Sequence, residues 1–331
     1  PGARPDWSLL AAMVLLGVAL LLRLSGLNLD AGAMLHPDER FLVMLMGVID
    51  WPVSLPAYLD SAASPLNPFN HDGYQFYVYG TLPLLAGKAF TEWSVWLGHF
   101  GLDIPARLLV ACIDIVTLGA VFVLARDAFG RSTGLLAATL YGFSVLPIQL
   151  SHFFTVDPFL ALFLTLALIQ ALALARAGTW RAAILLGLFW GAALACKVSA
   201  VAFLPVVMAA AWLAPQGAHG VARRALLCLA ALALAALAFR LLHPYAFSGG
   251  FTLDPRFLEA LRALDALGEE GAWFPPAWQW IQRDAVAYPL WNLARYGVGL
   301  PMFAAAMAGC AVWACRAVRT RAPESVLALA W

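Results

Sequence analysis

The chain has 331 residues, 63% of them hydrophobic and 12% charged, with a formal net charge of +1. Soluble domains average about 45–50% apolar and about 25% charged residues, so this composition excludes a soluble enzyme and indicates a multi-pass membrane protein. No basic cluster suits nucleic acid, and the five cysteines (Cys112, Cys196, Cys228, Cys310 and Cys315) have neither zinc nor redox spacing.

The first apolar run, Trp7 to Leu27, is about the length of a spanning helix. No small-residue cleavage site follows it, so it reads as a retained anchor. Further spans are predicted at 106–125, 132–149, 158–175, 182–196, 198–214, 225–242 and 290–315, with another starting near 324. The chain begins without Met and ends in an apolar stretch, so both ends are expected to be cut from a longer protein.

Arginines set the expected orientation. With a cytoplasmic N-terminus, the inside groups are Arg4, Arg126 with Arg131, Arg176 with Arg181, Arg223 with Arg224, and Arg316, Arg319 and Arg321, as the positive-inside rule requires. Segments 28–105, 150–157, the turn around Lys197, and 243–289 then lie outside and carry most of the acids. Within the first outer loop, 76–92 is apolar but short and holds Pro83 and Lys88. Counting it as a span would invert every later helix, so it reads as an interfacial or re-entrant helix, flanked by Tyr74, Phe76, Tyr77, Tyr79, Trp93 and Trp96. The second outer loop, with Trp273, Pro275, Pro276, Trp278 and Trp280, is also expected to lie on the membrane. There is no internal repeat.

The tetrad His36-Pro37-Asp38-Glu39 follows the first membrane exit. Pro37 is suited to open a helix, placing Asp38 and Glu39 in its first turn, where the dipole favours carboxylates. The bland reading is a helix-start signal; the functional one is a catalytic acidic pair at a membrane surface. A second carboxylate, Asp157, stands before Pro158 where two outer helix ends meet. It reads as a cap that also faces a site, with His152 five residues earlier. Lys197 lies on the side where positive residues are disfavoured, so it needs a local anion. Arg240 and His243 end span 225–242 at the same face, and Arg295 is a weaker member of the set. A phosphate or pyrophosphate would satisfy several of these cations. Asp114 sits inside span 106–125 and needs a partner; Arg23 is the candidate, in a structural role. The stretch Ser64–Tyr74 is a chain of turns whose Asn, His and Asp also suit sugar or acceptor binding.

These residues resemble the membrane glycosyltransferases of the C-type fold, most closely the protein O-mannosyltransferase-like and aminoarabinose-transferase-like group that uses polyprenyl-phosphate sugars. The resemblance rests on an ordered set over residues 7–215. In order, these are Leu35-His-Pro-Asp-Glu-Arg-Phe41, an interfacial segment Tyr77–Ala89, Ala106-Arg-Leu-Leu109 and Phe129-Gly-Arg131. Phe154-Thr-Val-Asp-Pro158 and Ala195-Cys-Lys197 complete it. The implied fold is an all-α polytopic membrane protein: a C-type helical module whose long first outer loop carries interfacial helices. The expected division is a transmembrane catalytic module at 1–215 and further transmembrane helices at 216–331.

The implied reaction is inverting transfer of a sugar from a polyprenyl-phosphate carrier to an acceptor hydroxyl on a protein, lipid or glycan, at the outer face of the cell membrane. In this reading Asp38 is the general base, Glu39 and Asp157 orient the acceptor, and His36 and His152 bind substrate. Lys197, Arg240 and His243 hold the carrier phosphate. The sequence leaves open a divalent cation, Mg or Mn, held by Asp38, Glu39 and Asp157. The competing class is a transporter or flippase lined by Asp114, Arg23 and Arg240. That reading expects charges spread through the bilayer and repeated halves.

Overall fold

In a computed structural model the described residues are 7–95, 101–215, 220–267, 278, 281–320, 323, 326 and 327. They form an all-α polytopic assembly with one small hairpin, Phe247–Gly249 against Thr252–Leu253. Among the described residues four helices are long and apolar enough to cross a membrane: Asp103–Phe129 (α5), Asp157–Ala177 (α8), Gly220–Leu242 (α11) and Leu300–Arg319 within the last described helix. Shorter helices complete the set. Before α5 come α1 (Trp7–Leu24), α2 (Pro37–Met46), α3 (Leu55–Leu59) and α4 (Thr81–Ser94). After it come α6 (Arg131–Gly142), α7 (Val145–Leu150), α9 (Trp180–Leu194), α10 (Leu204–Leu213), α12 (Pro255–Ala266), α13 (Ala287–Asn292) and α14 (Leu300–Thr320).

Three predicted spans take a different form. The stretch 132–149 breaks at Phe143–Ser144 into α6 and α7, and the carbonyl of Gly142 that the break frees accepts a hydrogen bond from Arg23 Nη1 at 3.1 Å. The stretch 198–214 opens with a tight 3-10 turn, Val198–Phe203, before α10. The span placed at 290–315 begins only at Leu300, because a π-turn, Leu293–Gly297, and the left-handed Gly299 separate it from α13. The span placed near 324 and the residues Trp96, Trp273, Pro275, Pro276, Trp280 and Arg321 lie outside the described residues.

The bundle is built on close approach of small residues. On α9, a Cβ added to Gly187 would lie 2.4 Å from the Ala231 carbonyl, and one on Gly191 would lie 2.5 Å from that of Ala235. The Gly187-Leu-Phe-Trp-Gly191 face thus meets the backbone of α11 directly, the packing that helices use where burial from water does not drive them together. This contact carries the bundle past residue 215. The main core lies between α8, α9, α10 and α11, around Leu186, Trp190, Phe203 and Val207.

Inside the bundle Arg23 Nε meets Asp114 at 2.5 Å, and Tyr141 donates to the same carboxylate. Arg23 and Asp114 are 0% and 3% exposed, so the pairing anticipated between them joins α1, α5 and α6 as a buried network. Removing one partner of such a buried pair costs roughly 3–5 kcal/mol.

The two ends of the bundle differ in chemistry. At one end Arg176 donates to the Asp127 carbonyl, Arg223 to that of Gly178 and Arg224 to that of Ala214. These basic side chains close the turns between helices. At the other end gather the loop after α1, the segment Pro37–Ser94, the turns at 151–157 and 195–198, and the chain after α11. A second core holds them, around Leu42, Tyr77, Leu84, Phe154, Tyr245 and Phe257.

Candidate active site

Helix α2 starts as the sequence dictates. His36 is extended at the N-cap (φ −76°, ψ 122°), Pro37 follows, and Asp38 and Glu39 occupy the first turn. Successive residues on a helix point about 100° apart, and that rotation gives the two acids different surroundings.

Glu39 is fully buried. Both of its carboxylate oxygens accept from Arg107, at 2.7 Å from Nε and 2.6 Å from Nη2. One also accepts from the backbone N–H of Phe154 at 2.9 Å. Asp30 takes the other side of the same guanidinium, at 2.9 and 2.8 Å, and the Leu27 carbonyl accepts from Nη1 at 2.7 Å. One arginine therefore joins the loop after α1, α2 and α5, and Glu39 adds the turn that leads to Asp157. Hydrogen bonds from Arg107 hold the Asp30 carboxyl well below the usual carboxylate range.

Asp38 is half-buried and stands beside the Tyr79 hydroxyl. Burial first, then the neighbouring Asp38 carboxylate, then the charge of Asp157, push the Tyr79 phenol up from its ordinary range. Asp157 opens α8 and pairs with Lys197 at 2.9 Å; these side chains are 38% and 39% exposed. Asp157 thus supplies the local anion that Lys197 was expected to need. Asp38, Tyr79, Asp157 and Lys197 form one group, contributed by α2, the strand-like stretch before α4, the start of α8 and the turn after α9.

The other candidates sit differently. The His36 ring packs on Phe153 at 5.1 Å, and Arg107 lies over the same ring at 6.0 Å. His152 directs its two ring nitrogens at the carbonyls of Ile148 and Ser25, at 2.7 and 2.9 Å, fastening α7 to the end of α1. His243 is 1% exposed, and burial pulls its pKa down to about 3, so it stays neutral and provides no cation for a phosphate. It instead engages Thr81 at the start of α4 through Nδ1, at 3.1 Å from the hydroxyl. Arg240 donates from Nε to the Gly250 carbonyl at 2.5 Å and lies over Phe247 at 5.2 Å. Its Nη1 has no hydrogen-bond partner among the described residues.

The polar stretch Ser64–Tyr74 is largely engaged within the protein. Asn67 donates to the Ser61 carbonyl at 2.6 Å, Asn70 to that of Ser64 at 3.0 Å, and Arg256 to the Asn70 side chain at 2.9 Å. These groups tie the first loop to α12.

Among the described residues no three His, Cys, Asp or Glu side chains gather to hold a metal ion. Both Glu39 oxygens face Arg107, and Asp157 faces Lys197, so Asp38, Glu39 and Asp157 do not make a shared ligand set.

Arg107, Asp30 and Tyr79 are the members that sequence reasoning missed. The signal for Arg107 was present: a lone arginine at the opening of an apolar span requires a partner, as Asp114 did.

Residues 87–243 match the family model described as dolichyl-phosphate-mannose-protein mannosyltransferase. The match covers just under half of the chain, and with the all-α spanning fold it makes the protein similar to membrane glycosyltransferases of that mannosyltransferase family. That family works in general with a lipid-linked donor and protein or glycan acceptors. The matched stretch runs from within α4 to the end of α11. It contains Arg107, Asp157, Lys197, Arg240 and His243, while Asp38 and Glu39 precede it. No curated protein matches the chain.

Proposed function

We propose that the protein transfers a sugar from a polyprenyl-phosphate carrier to an acceptor hydroxyl with inversion, that Asp38 is the general base, and that the reaction occurs at the outer membrane face. The observation that carries the reading is the divergence of the acidic pair. Glu39 is enclosed by Arg107, whereas Asp38 stays half-buried beside Tyr79, at the edge shared with Asp157 and Lys197.

In this mechanism the acceptor oxygen attacks the anomeric carbon while its proton passes to Asp38. The bond from that carbon to the phosphate oxygen breaks on the opposite side, and polyprenyl phosphate leaves with the electron pair. Lys197 exchanges Asp157 for the phosphate and offsets its charge, with Arg240 as a second cation. The half-exposed Lys197–Asp157 pair is a weak bond, about 0–1 kcal/mol, so the exchange is cheap. Asp157, released, orients the acceptor. Glu39 acts by holding α2 and the 154–157 turn in place. His36, against Phe153, lies next to the base and is the remaining candidate for substrate contact.

The outer-face assignment rests on charge: the arginine-rich turns at 126–131, 176–181 and 223–224 lie at the end of the bundle opposite to Asp38. The transport reading drew on Asp114, Arg23 and Arg240; of these, Asp114 and Arg23 are buried against each other, with hydrogen bonds to Tyr141, Ala19 and Gly142. The test is Asp38→Asn in reconstituted membranes supplied with a lipid-linked sugar. Near-normal transfer would remove Asp38 as base.

A further inference from the structure

Tyr79 has no part in the transfer as described, yet three separate contacts fix it at the reacting edge. The first is backbone. The Gly80 N–H donates to the Cys196 carbonyl at 2.8 Å, and the Leu82 N–H donates to the Ala195 carbonyl at 3.1 Å. A Cβ on residue 80 would stand 1.8 Å from the Ala195 oxygen, so only glycine permits this approach. The stretch that carries Tyr79 is thereby sewn to the turn that carries Lys197.

The second contact is the ring. It packs against Phe41, one turn after Asp38 on α2, at 6.3 Å, and edge-on to Tyr77 at 5.8 Å. Tyr77 is itself fully buried, and its hydroxyl donates to the Gly80 carbonyl at 2.9 Å. The third is the hydroxyl, which lies beside the Asp38 carboxylate and within the field of Asp157. A ring held on two sides by aromatic neighbours, on a backbone pinned at the next residue, leaves its hydroxyl little freedom.

We infer that Tyr79 is a positioning residue for the transfer: its hydroxyl donates to one oxygen of Asp38 and keeps the other aimed at the incoming acceptor hydroxyl. The inference rests on the reading of Asp38 as base. A carboxylate at the start of a helix has free rotation about its side-chain bonds, and a fixed phenol removes it. Placement errors of about 1 Å at a reacting group cost up to about a hundredfold in rate.

Three measurements on the full chain in lipid nanodiscs test this, with dolichyl-phosphate mannose as donor and a threonine-containing peptide as acceptor. Tyr79→Phe keeps the ring and its packing and is expected to lower kcat about tenfold to a hundredfold with the donor KM unchanged. In an Asp38→Glu background, where the carboxylate is displaced from the phenol, Tyr79→Phe is expected to cost nothing further. Unchanged kcat in the first case, or a full multiplicative loss in the second, overturns the inference.

The third measurement needs no turnover. With 3-fluorotyrosine at position 79, followed by fluorine NMR, the titration midpoint of that phenol is expected to fall when Asp38 is changed to Asn. A midpoint that does not move refutes the contact. If the midpoint moves but Asp38→Asn retains transfer, the base assignment fails while the Tyr79–Asp38 contact stands.

Discussion

Two carboxylate regions lie side by side in this protein and are built on opposite plans. In the Arg107 clamp, Asp30 and Glu39 enclose one guanidinium, side-chain exposure is zero for all three residues, and both oxygens of each acid are taken. At the proposed site, Asp157 and Lys197 are more than a third exposed and share one contact, and Asp38 has a phenol for a neighbour. Adjacency in sequence does not give adjacent acids a common task. A rotation of one helical position sends Glu39 into the protein and leaves Asp38 at its rim. The clamp is a joint between four chain segments; the edge is a surface whose partners can be exchanged.

The comparison is sharpened by variants that separate stability from turnover. The largest expected effect is Asp38→Asn, which should lower transfer by about 10²–10⁴-fold, the usual contribution of a general base. Its unfolding temperature should match the parent's. Arg107→Met should do the reverse. It leaves two enclosed carboxylates without their cation, costing roughly 3–5 kcal/mol, and thermal unfolding in detergent should show the loss directly. A smaller loss, about 1–3 kcal/mol, is expected for Glu39→Gln, since Arg107 retains Asp30. Transfer per folded molecule should stay closer to the parent's than in Asp38→Asn. A Glu39→Gln protein that is stable but inactive would erase the distinction between the two regions.

Acid provides an intermediate test. Asp30 is held below its unfolded pKa, so its contribution is complete above about pH 4 and is lost as the pH falls below that value. Asp30→Asn should therefore flatten the acid side of the stability curve. The smallest stability effect belongs to Lys197→Met, within about 1 kcal/mol, because the ion pair it breaks is half in solvent. That variant should raise the donor KM; an unchanged KM would take Lys197 out of the phosphate site.

Long apolar helices, the buried Arg23–Asp114 pair and the Pro37 start of α2 were legible in the sequence, because hydropathy, buried-charge cost and proline geometry act locally. The match to residues 87–243 agrees with the ordered motifs that suggested a mannosyltransferase-like enzyme. Partner choice across the fold was not legible. Arg107 lies 68 positions from Glu39 and 77 from Asp30, and nothing local identifies either acid as its partner. Tyr79 resembled any aromatic residue of the headgroup zone until the contact of Gly80 with Ala195 fixed where its stretch runs. His243 reads as a cation in sequence because burial, which makes it neutral, depends on Phe239 and Phe257 packing around it. The break at Phe143 and the late start of α14 depend on turns that hydropathy averages away.

The backbone contact between α9 and α11 has a consequence for distance. Lys197 hangs three residues beyond the end of α9, and Arg240 lies in the last turn of α11. With Gly187 and Gly191 seated on Ala231 and Ala235, these helices cannot press closer or slide past each other without a collision of main-chain atoms. The gap between the two candidate phosphate cations is therefore set deep in the bundle, like the jaws of a calliper locked at its hinge. In the proposed mechanism that gap is the span offered to the carrier phosphate, and it is referred to a contact remote from the acceptor.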